Sequence, residues 1–279
     1  MLRIVTDTGS DIPYLNAAAS GVEIVELGIQ FEEFPYDFRN DTDFGVFYDN
    51  LTRSKKLPTT SQVTPGQYLD IFEDAQKKGD EVLVITLSGK LSGTHESAIM
   101  AQEMNGYDGI TVIDSNSCTV TQRLLAEHAA RLRDEGQDRA AIAGVLEGLR
   151  DRLGFAVMLD TLTYLKKGGR VPATMALLGE VLNMKPIVAM QNGKPEPLGR
   201  ARGIDAGKKA LWRYFEESGY DPDWPVYFGY TKDKARGEAF VQETKAKYGL
   251  KDCRLFPVGG AIGTHAGPGA FAIGFVKKK

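Results

Sequence analysis

Short apolar runs that end in polar residues are the most regular feature of the first half of the chain. Residues 2–7, 81–87 and 109–114 each have the character of a buried strand. A loop rich in Ser, Thr, Asn or Asp follows each run, and a segment with helical character follows each loop. Three repeats of strand, polar loop and helix predict a Rossmann-like parallel sheet with helices on both faces.

Capping signals locate helix starts in this half. Ser10 or Asp11 is suited to cap a helix that we expect to reach residue 19. Thr64 followed by Pro65 is typical of an N-cap and a first helical residue, and that helix should reach residue 78. The partial alternation of residues 22–31 predicts a further strand.

The pattern changes after residue 153. A hairpin signal, Asn192-Gly193, stands beside helical crossovers, and this combination predicts a mixed sheet. We therefore interpret the chain as an α/β protein with two domains, a parallel-sheet domain at 1–153 and a mixed-sheet domain at 154–279. The predicted strands of the second domain are 154–159, 184–190, 226–230, 253–257 and 270–276, and its helices include 174–182.

Polar segments should meet at one edge of the first sheet. In such sheets, ligands bind beyond the carboxyl ends of the strands, and the loops 7–11, 88–94 and 114–119 fall at those ends. A further polar segment, 258–269, holds five glycines and His265. We interpret it as a loop whose backbone N–H groups form an anion-binding nest.

Charge and composition exclude several classes of protein. The 279 residues carry 34 Lys and Arg against 37 Asp and Glu, so the net charge is −3 and nothing favours a nucleic-acid partner. The two cysteines and three histidines lack metal-ligand spacing, and no nucleotide-binding motif is present, so we predict no metal and no cofactor. We expect a cytoplasmic protein without stable membrane insertion, because no signal peptide or long apolar stretch is recognisable.

Two enzymatic interpretations remain open at this point. Ser92 and His265 could form the nucleophile and base of a hydrolase, although no Gly-x-Ser-x-Gly elbow surrounds Ser92. Asp7, Asp11 and Asp114 could hold Mg²⁺ for a phosphotransferase, although Asp at a strand end is more often a cap or turn residue.

The third interpretation is a site that binds an anion without attacking it. Neutral hydroxyl groups, backbone N–H groups and one histidine hold a carboxylate well. The residues that would form such a site are Thr60, Ser61, Ser92, Thr264 and His265.

Six segments resemble the signature segments of the DegV family, in the family's order and across nearly the whole chain. They are 6–11, 58–62, 91–94, 164–170, 185–187 and 262–269. The resemblance implies two α/β domains with a long-chain fatty acid between them. It also implies a lipid-binding protein rather than an enzyme, since some members act as the acyl-carrying subunit of a bacterial fatty acid kinase.

The resemblance also implies roles for particular residues. By matching position, Thr60, Ser92 and His265 would surround the carboxylate, with Thr264 beside them and Arg170 nearby. The chain departs from the family's pattern at Gly9, at His95, at 118–121 and at 260–261. These departures bear on the preferred acyl chain rather than on the fold.

Apolar and basic residues near the loops complete the interpretation. A tail of ~15 methylenes would contribute roughly 12 kcal/mol before association costs, at about 0.8 kcal/mol per CH₂. We expect two basic loops, 166–170 and 200–202, to flank the mouth and to help dock the kinase. The candidate tunnel walls are Leu27, Ile29, Phe31, Leu159, Leu162, Met175, Leu178, Ile187 and Met190.

Overall fold

A computed structural model of the protein describes residues 1–41, 43–171 and 183–279. The strands are β1 (Leu2–Asp7), β2 (Glu23–Val25), β3 (Gly28–Gln30), β4 (Thr59–Ser61), β5 (Glu81–Thr86), β6 (Ile110–Asp114), β7 (Leu153–Met158), β8 (Met184–Gln191), β9 (Lys194–Arg202), β10 (Val226–Tyr230), β11 (Cys253–Pro257) and β12 (Phe271–Val276). The helices are α1 (Gly45–Arg53), α2 (Pro65–Lys78), α3 (Thr94–Asn105), α4 (Thr119–Asp134), α5 (Arg139–Arg150), α6 (Thr163–Lys167), α7 (Ile204–Glu217), α8 (Lys234–Tyr248) and α9 (Gly260–Ala266).

The first sheet has the strand order β2-β1-β5-β6, and all of its pairs are parallel. This arrangement confirms the prediction from the repeated strand, polar loop and helix. The predicted start of α2 is also confirmed, because Thr64 forms a capping box with Gln67. The predicted strand at 22–31 is divided into β2 and β3, and β3 pairs with β4 in a separate two-stranded sheet.

The second sheet is mixed, as predicted. Its strand order is β11-β10-β12-β7-β8-β9, and within it only β10 and β11 run parallel. Asn192 and Gly193 connect β8 to β9 with positive φ angles of 50° and 78°, the backbone conformation that a two-residue hairpin turn requires.

Helix α4 packs against both sheets. Val120 and Leu124 lie in one hydrophobic cluster with Ile4 of the first sheet and with Phe155 and Ala272 of the second. The strands of the first sheet lie before residue 115 and those of the second after residue 152. The division into domains at residue 153 stays a prediction.

The predicted helix from Ser10 or Asp11 to residue 19 is wrong. Two 3₁₀ turns, Thr8–Ser10 and Tyr14–Asn16, occupy this segment. Asp11 has a left-handed backbone with φ of 57°, whereas a helix N-cap is normally extended. This conformation accompanies a hydrogen bond of 2.8 Å from Gly259 N to Asp11 Oδ1, so a distant contact overrides the local capping signal. The predicted helix 174–182 lies outside the described residues.

The glycine-rich segment 258–269 is not the predicted loop, because its centre forms helix α9. Gly260 and Gly263 lie on the face of α9 that packs against α1. A Cβ at Gly260 would lie 2.7 Å from Phe47 Cδ2, and one at Gly263 would lie 2.5 Å from Tyr48 Oη. These glycines therefore permit close helix packing, and they do not form the anion-binding nest that we predicted.

The basic segments also differ from the prediction of two loops. Residues 163–167 form α6, so Lys166 and Lys167 are helical, and the turn follows them. Arg200 and Arg202 belong to β9, which is an edge strand of the second sheet.

We expect Gly263→Ala to lower the free energy of unfolding by about 1–3 kcal/mol, since the added methyl group overpacks the contact with α1. Tyr48 cannot simply move aside, because its Oη donates a hydrogen bond of 2.9 Å to Val258 O. Urea unfolding would measure the change. The matched control is Gly144→Ala in α5, where nothing lies within 4 Å and helix propensity should stabilise the protein by about 0.5–1 kcal/mol. A Gly263→Ala protein as stable as the control would contradict the packing argument.

Candidate functional site

A cavity of about 380 Å³ lies between the polar edge of the first sheet and one face of the second. Phe155, Val157 and Leu159 alternate along β7 and its C-terminal end, so their side chains project from the same sheet face. The other apolar lining residues come from several elements: Leu27, Leu87, Leu91, Cys118, Leu165, Val188, Met190, Pro195, Val258, Ala261, Ile262, Ala266, Ala270 and Ala272. The volume is within the usual range for a small-molecule site.

His265 and Thr60 form the centre of the polar part of the lining. His265 belongs to α9, and its Nε2 lies 3.2 Å from Thr60 Oγ1 on β4. Gly168 provides the space for the imidazole, because a Cβ there would collide with His265 Nδ1. Within the described residues His265 Nδ1 has no hydrogen-bond partner.

Ser61 and Ser92 lie beside this pair in the lining. Ser92 Oγ lies 2.9 Å from Thr94 Oγ1, and Thr94 Oγ1 accepts a hydrogen bond of 3.3 Å from Val63 N. These bonds hold the turn after β5 against the end of β4. In the part of the chain that the structure describes, no hydrogen bond joins Ser92 to His265, so the pair that a Ser–His hydrolase requires is not formed.

Arg170 supplies a positive charge at the exposed rim of the cavity. Its Nε donates to Leu91 O at 3.2 Å, and its Nη1 donates to Gly168 O at 2.7 Å. The two backbone acceptors come from the turn after β5 and from the end of α6. The guanidinium is therefore fixed beside Ser92 and His265, and its charge is not neutralised by a carboxylate among these contacts.

Burial, together with the positive charge of Arg170, lowers the pKa of His265 from 6.5 to about 4. The imidazole is therefore neutral at pH 7. A neutral imidazole has one N–H donor and one acceptor nitrogen. Thr60 and His265 can consequently share a hydrogen bond, and the Thr60 hydroxyl can still form a second hydrogen bond with a ligand.

Five of the six predicted site residues line this cavity: Thr60, Ser61, Ser92, Arg170 and His265. Thr264 does not line it. Its Oγ1 donates a hydrogen bond of 2.8 Å to Gly260 O, one turn earlier in α9, and the side chain is buried. The helix that replaces the expected loop turns Thr264 away from the neighbouring His265.

Three of the predicted tunnel-wall residues line this cavity. Leu27, Leu159 and Met190 line the cavity. Ile29, Phe31, Leu162 and Ile187 pack elsewhere in the hydrophobic clusters, and Met175 and Leu178 lie outside the described residues. The missed walls include Phe155 and Val157 on β7 and the small residues Ala270 and Ala272. Their spacing of two along a strand was a usable signal, since such residues share a face.

The acidic residues at the strand ends accept hydrogen bonds from other parts of the protein. Asp7 Oδ2 accepts from Leu87 N at 2.7 Å, and Oδ1 accepts from Gly9 N and from Gln122 Nε2. Burial raises the pKa of Asp7 to about 6 and that of Asp11 well above its usual value. The described residues contain no group of three His, Cys, Asp or Glu that could hold a metal ion. These contacts favour the turn and capping role over a Mg²⁺ site.

The fold and the cavity define a class: an α/β protein with a parallel sheet, a mixed sheet and an amphiphilic cavity between these two. The sequence matches the family model described as "Uncharacterised protein, DegV family" over residues 1–278. The chain belongs to the DegV family.

Similar proteins are bacterial and match over nearly their full length. A DegV domain-containing protein of Caldanaerobacter subterraneus subsp. tengcongensis is 34% identical, with 99% of each chain covered. A fatty-acid-binding DegV family protein from Thermus thermophilus is 31% identical, with a TM-score of 0.87 and 99% of each chain covered. A stearic-acid-binding protein from Eubacterium ventriosum is 27% identical, with a TM-score of 0.86 over 100% of this chain and 99% of the other.

No helix in the described parts of the chain has both the length and the hydropathy that crossing a bilayer requires.

The low pKa of His265 predicts a pH-dependent stability difference between the wild type and His265→Gln. The unfolded state binds a proton near pH 6.5 and the folded state near pH 4, so the contribution of neutral His265 is complete above pH 6.5 and is lost as the pH falls toward 4. The wild-type free energy of unfolding should fall relative to the variant by up to about 1.4 kcal/mol per pH unit in that window.

Urea unfolding at several pH values between 4 and 7 would test this expectation. Burial also lowers the pKa of His128 to about 4, but His128 is present in both proteins and its effect cancels in the difference. A difference that does not change with pH would show that His265 is not held neutral by the fold.

Proposed function

We propose that this protein binds a long-chain fatty acid, with the carboxylate at Thr60, Ser61, Ser92, His265 and Arg170 and the acyl tail in the apolar part of the cavity. The observation that carries the proposal is the composition of this one cavity. Apolar side chains form most of its wall, and hydroxyl groups, a neutral imidazole and a guanidinium are gathered in one part of it. The ligands of the similar proteins support the same choice.

The polar groups have suitable chemistry for a carboxylate. If His265 Nε2–H donates to Thr60 Oγ1, the Thr60 proton is free to donate to a carboxylate oxygen. Ser92 can donate a second hydrogen bond, and Arg170 supplies the only formal positive charge among these five residues. Hydrogen bonds to an ionised acceptor are stronger than neutral ones, so this arrangement favours the ionised acid.

The apolar wall supplies the affinity. Each buried methylene contributes about 0.8 kcal/mol, so a long tail offsets the desolvation of one carboxylate that is fully hydrogen-bonded. A short acid would bury too few methylenes to do so. The tail therefore selects for long chains, while the polar residues determine which end lies at the rim.

We also propose that the protein is a non-catalytic subunit that presents the carboxylate to a separate fatty acid kinase in the cytoplasm. Among the described residues Ser92 is hydrogen-bonded to Thr94 and not to His265, so no general base contacts its hydroxyl there. Arg170 holds the head-group end near the surface, where a partner enzyme could reach the carboxylate. Lys167 and Arg202 are exposed basic residues on the second half of the chain and are candidates for contact with that partner.

Native mass spectrometry of the purified protein tests the proposal directly. We expect a bound mass in the range of long-chain fatty acids that is released on denaturation and identified after extraction. Turnover of model esters by a protein without any bound acid would instead support the hydrolase.

We expect Thr60→Ala and Ser92→Ala each to weaken fatty acid binding by about 10- to 100-fold, because each removes one hydrogen bond to a charged acceptor. Isothermal titration with a delipidated protein would measure the change. The matched control is His95→Gln. His95 also forms a His–Thr pair, with Nδ1 3.0 Å from Thr86 Oγ1, but it does not line the cavity. Wild-type affinity in both alanine variants would exclude the head-group site.

Charge reversal at Lys167 and Arg202 should slow phosphorylation of bound fatty acid by the cognate kinase and leave fatty acid affinity unchanged. Attraction between oppositely charged surfaces accelerates association, so the loss should be greatest at low salt. Lys251→Glu is the control, because Lys251 is exposed and precedes β11, at the opposite edge of the sheet from β9. Equal phosphorylation rates in the reversed and control proteins would remove these residues from the docking surface.

A further inference from the structure

The apolar cavity ends beside a second, polar cavity of about 560 Å³. On β7, Val157 lines the apolar cavity, Leu153 lines the polar cavity, and Phe155, which lies between them in the strand, lines both. On β8, Val188 lines the apolar cavity, and Met190 lines both. The boundary between the two cavities therefore lies at Phe155 and Met190.

Phe155 and Met190 lie opposite each other on neighbouring antiparallel strands. The register of β7 and β8 pairs Ala156 with Ala189, so the adjacent residues Phe155 and Met190 form the next pair. Phe155 is buried, and Met190 packs against the hydrophobic cluster to which Phe155 belongs. The preceding pair on this sheet face consists of two valines, which are smaller. The larger pair therefore forms a wall across the end of the apolar cavity.

The wall lies at the far end of the cavity from the head-group residues. Leu159, at the other end of the β7 lining, packs with Ala270, which follows the His265 helix. Four residues of chain separate Leu159 from Phe155, a rise of roughly 13 Å. An extended chain advances roughly 1.2 Å per bond, so a tail of ~15 methylenes, roughly 18 Å long, reaches Phe155 and Met190.

The polar cavity is a poor environment for the methyl end of an acyl chain. Its charged lining residues are Arg150, Asp151 and Lys277, and amide groups of Asn192 and Gln191 lie beside them. A methylene contributes to affinity only when it moves from water into apolar surroundings. The wall therefore separates a region where each added methylene increases affinity from a region where it does not.

We propose that Phe155 and Met190 set the upper limit of the acyl chain length that this protein accepts. The tail of an acid of matching length ends against the two side chains, and a longer tail has to bend or displace them. Met190 has a flexible, unbranched side chain, so the limit is a fall in affinity rather than complete exclusion. This inference rests on the proposed function and deepens it by naming the residues that select ligand length.

Binding of unbranched saturated acids of increasing length to the wild-type protein is the first test. The probes run from dodecanoic to tetracosanoic acid, and each displaces a fluorescent fatty acid from the delipidated protein. We expect affinity to increase about fourfold for each added methylene up to one chain length, the break, and then to stop increasing. An increase that continues through the whole series would overturn the proposal, because no wall would then limit the tail.

Met190→Ala and Met190→Phe should move the break in opposite directions. Alanine removes Cγ, Sδ and Cε, so the break should move to acids longer by roughly two or three carbons. Phenylalanine is bulkier, so the break should move to shorter acids. The matched control is Gln191→Ala, because Gln191 is the exposed neighbour of Met190 and lines the polar cavity but not the apolar one. This control should leave the break unchanged.

The outcomes also separate this inference from the proposed function. If no acid of any length binds, the proposed function fails and the inference fails with it. If acids bind and both Met190 variants keep the wild-type break, or if Gln191→Ala moves the break as far as Met190→Ala does, only the inference fails. If Met190→Ala does not fold, Met190→Phe and Phe155→Leu still decide, because the leucine variant should also move the break to longer acids.

Discussion

A single buried carboxylate, that of Asp11, joins the two ends of the chain at the site. Its Oδ1 accepts the N–H of Gly259 at 2.8 Å, and Gly259 is the residue from which the His265 helix starts. Arg123 donates to the Asp11 carbonyl and stacks on Phe256, 3.7 Å from the ring centroid. Burying a carboxylate is unfavourable unless it is hydrogen-bonded, so the contact is specific. The first loop thereby fixes where α9 begins, and α9 fixes the position of His265.

The same geometry explains how the cavity keeps polar and apolar regions apart. The hydroxyl groups of the proposed head-group site come from β4 and from the turn after β5, which both belong to the first half of the chain. One face of the second sheet supplies part of the apolar wall, where alternate residues of β7 point into the cavity. Charge is concentrated in Arg170, because burial keeps His265 neutral. One cation on the rim attracts an anion, whereas an imidazolium inside would bear a large desolvation cost.

The sequence predicted the features that depend on local patterns. Neighbouring residues were enough to predict the buried strands, the capping box at Thr64 and the Asn192-Gly193 turn. The convergence of the polar loops followed from the parallel order of the strands. Helix α9 was missed because its glycines are needed for contacts with Phe47 and Tyr48, which lie more than two hundred residues away in the chain. Thr264 was placed in the site for the same reason, since only the helix shows that it points away. Asp11 likewise resembles a helix cap until its partner Gly259 is known.

One buried polar atom of the site, His265 Nδ1, has no hydrogen-bond partner among the described residues, and it packs against Gly168. It could not have been recognised from the sequence, because an unpaired atom is a property of the packed structure. A fully unsatisfied buried group lowers the stability of the protein by about 1–3 kcal/mol. The same placement of the imidazole brings its other nitrogen, Nε2, to 3.2 Å from Thr60 Oγ1. The reduced stability of the free protein and the orientation of the Thr60 hydroxyl that would meet a carboxylate therefore have the same physical origin.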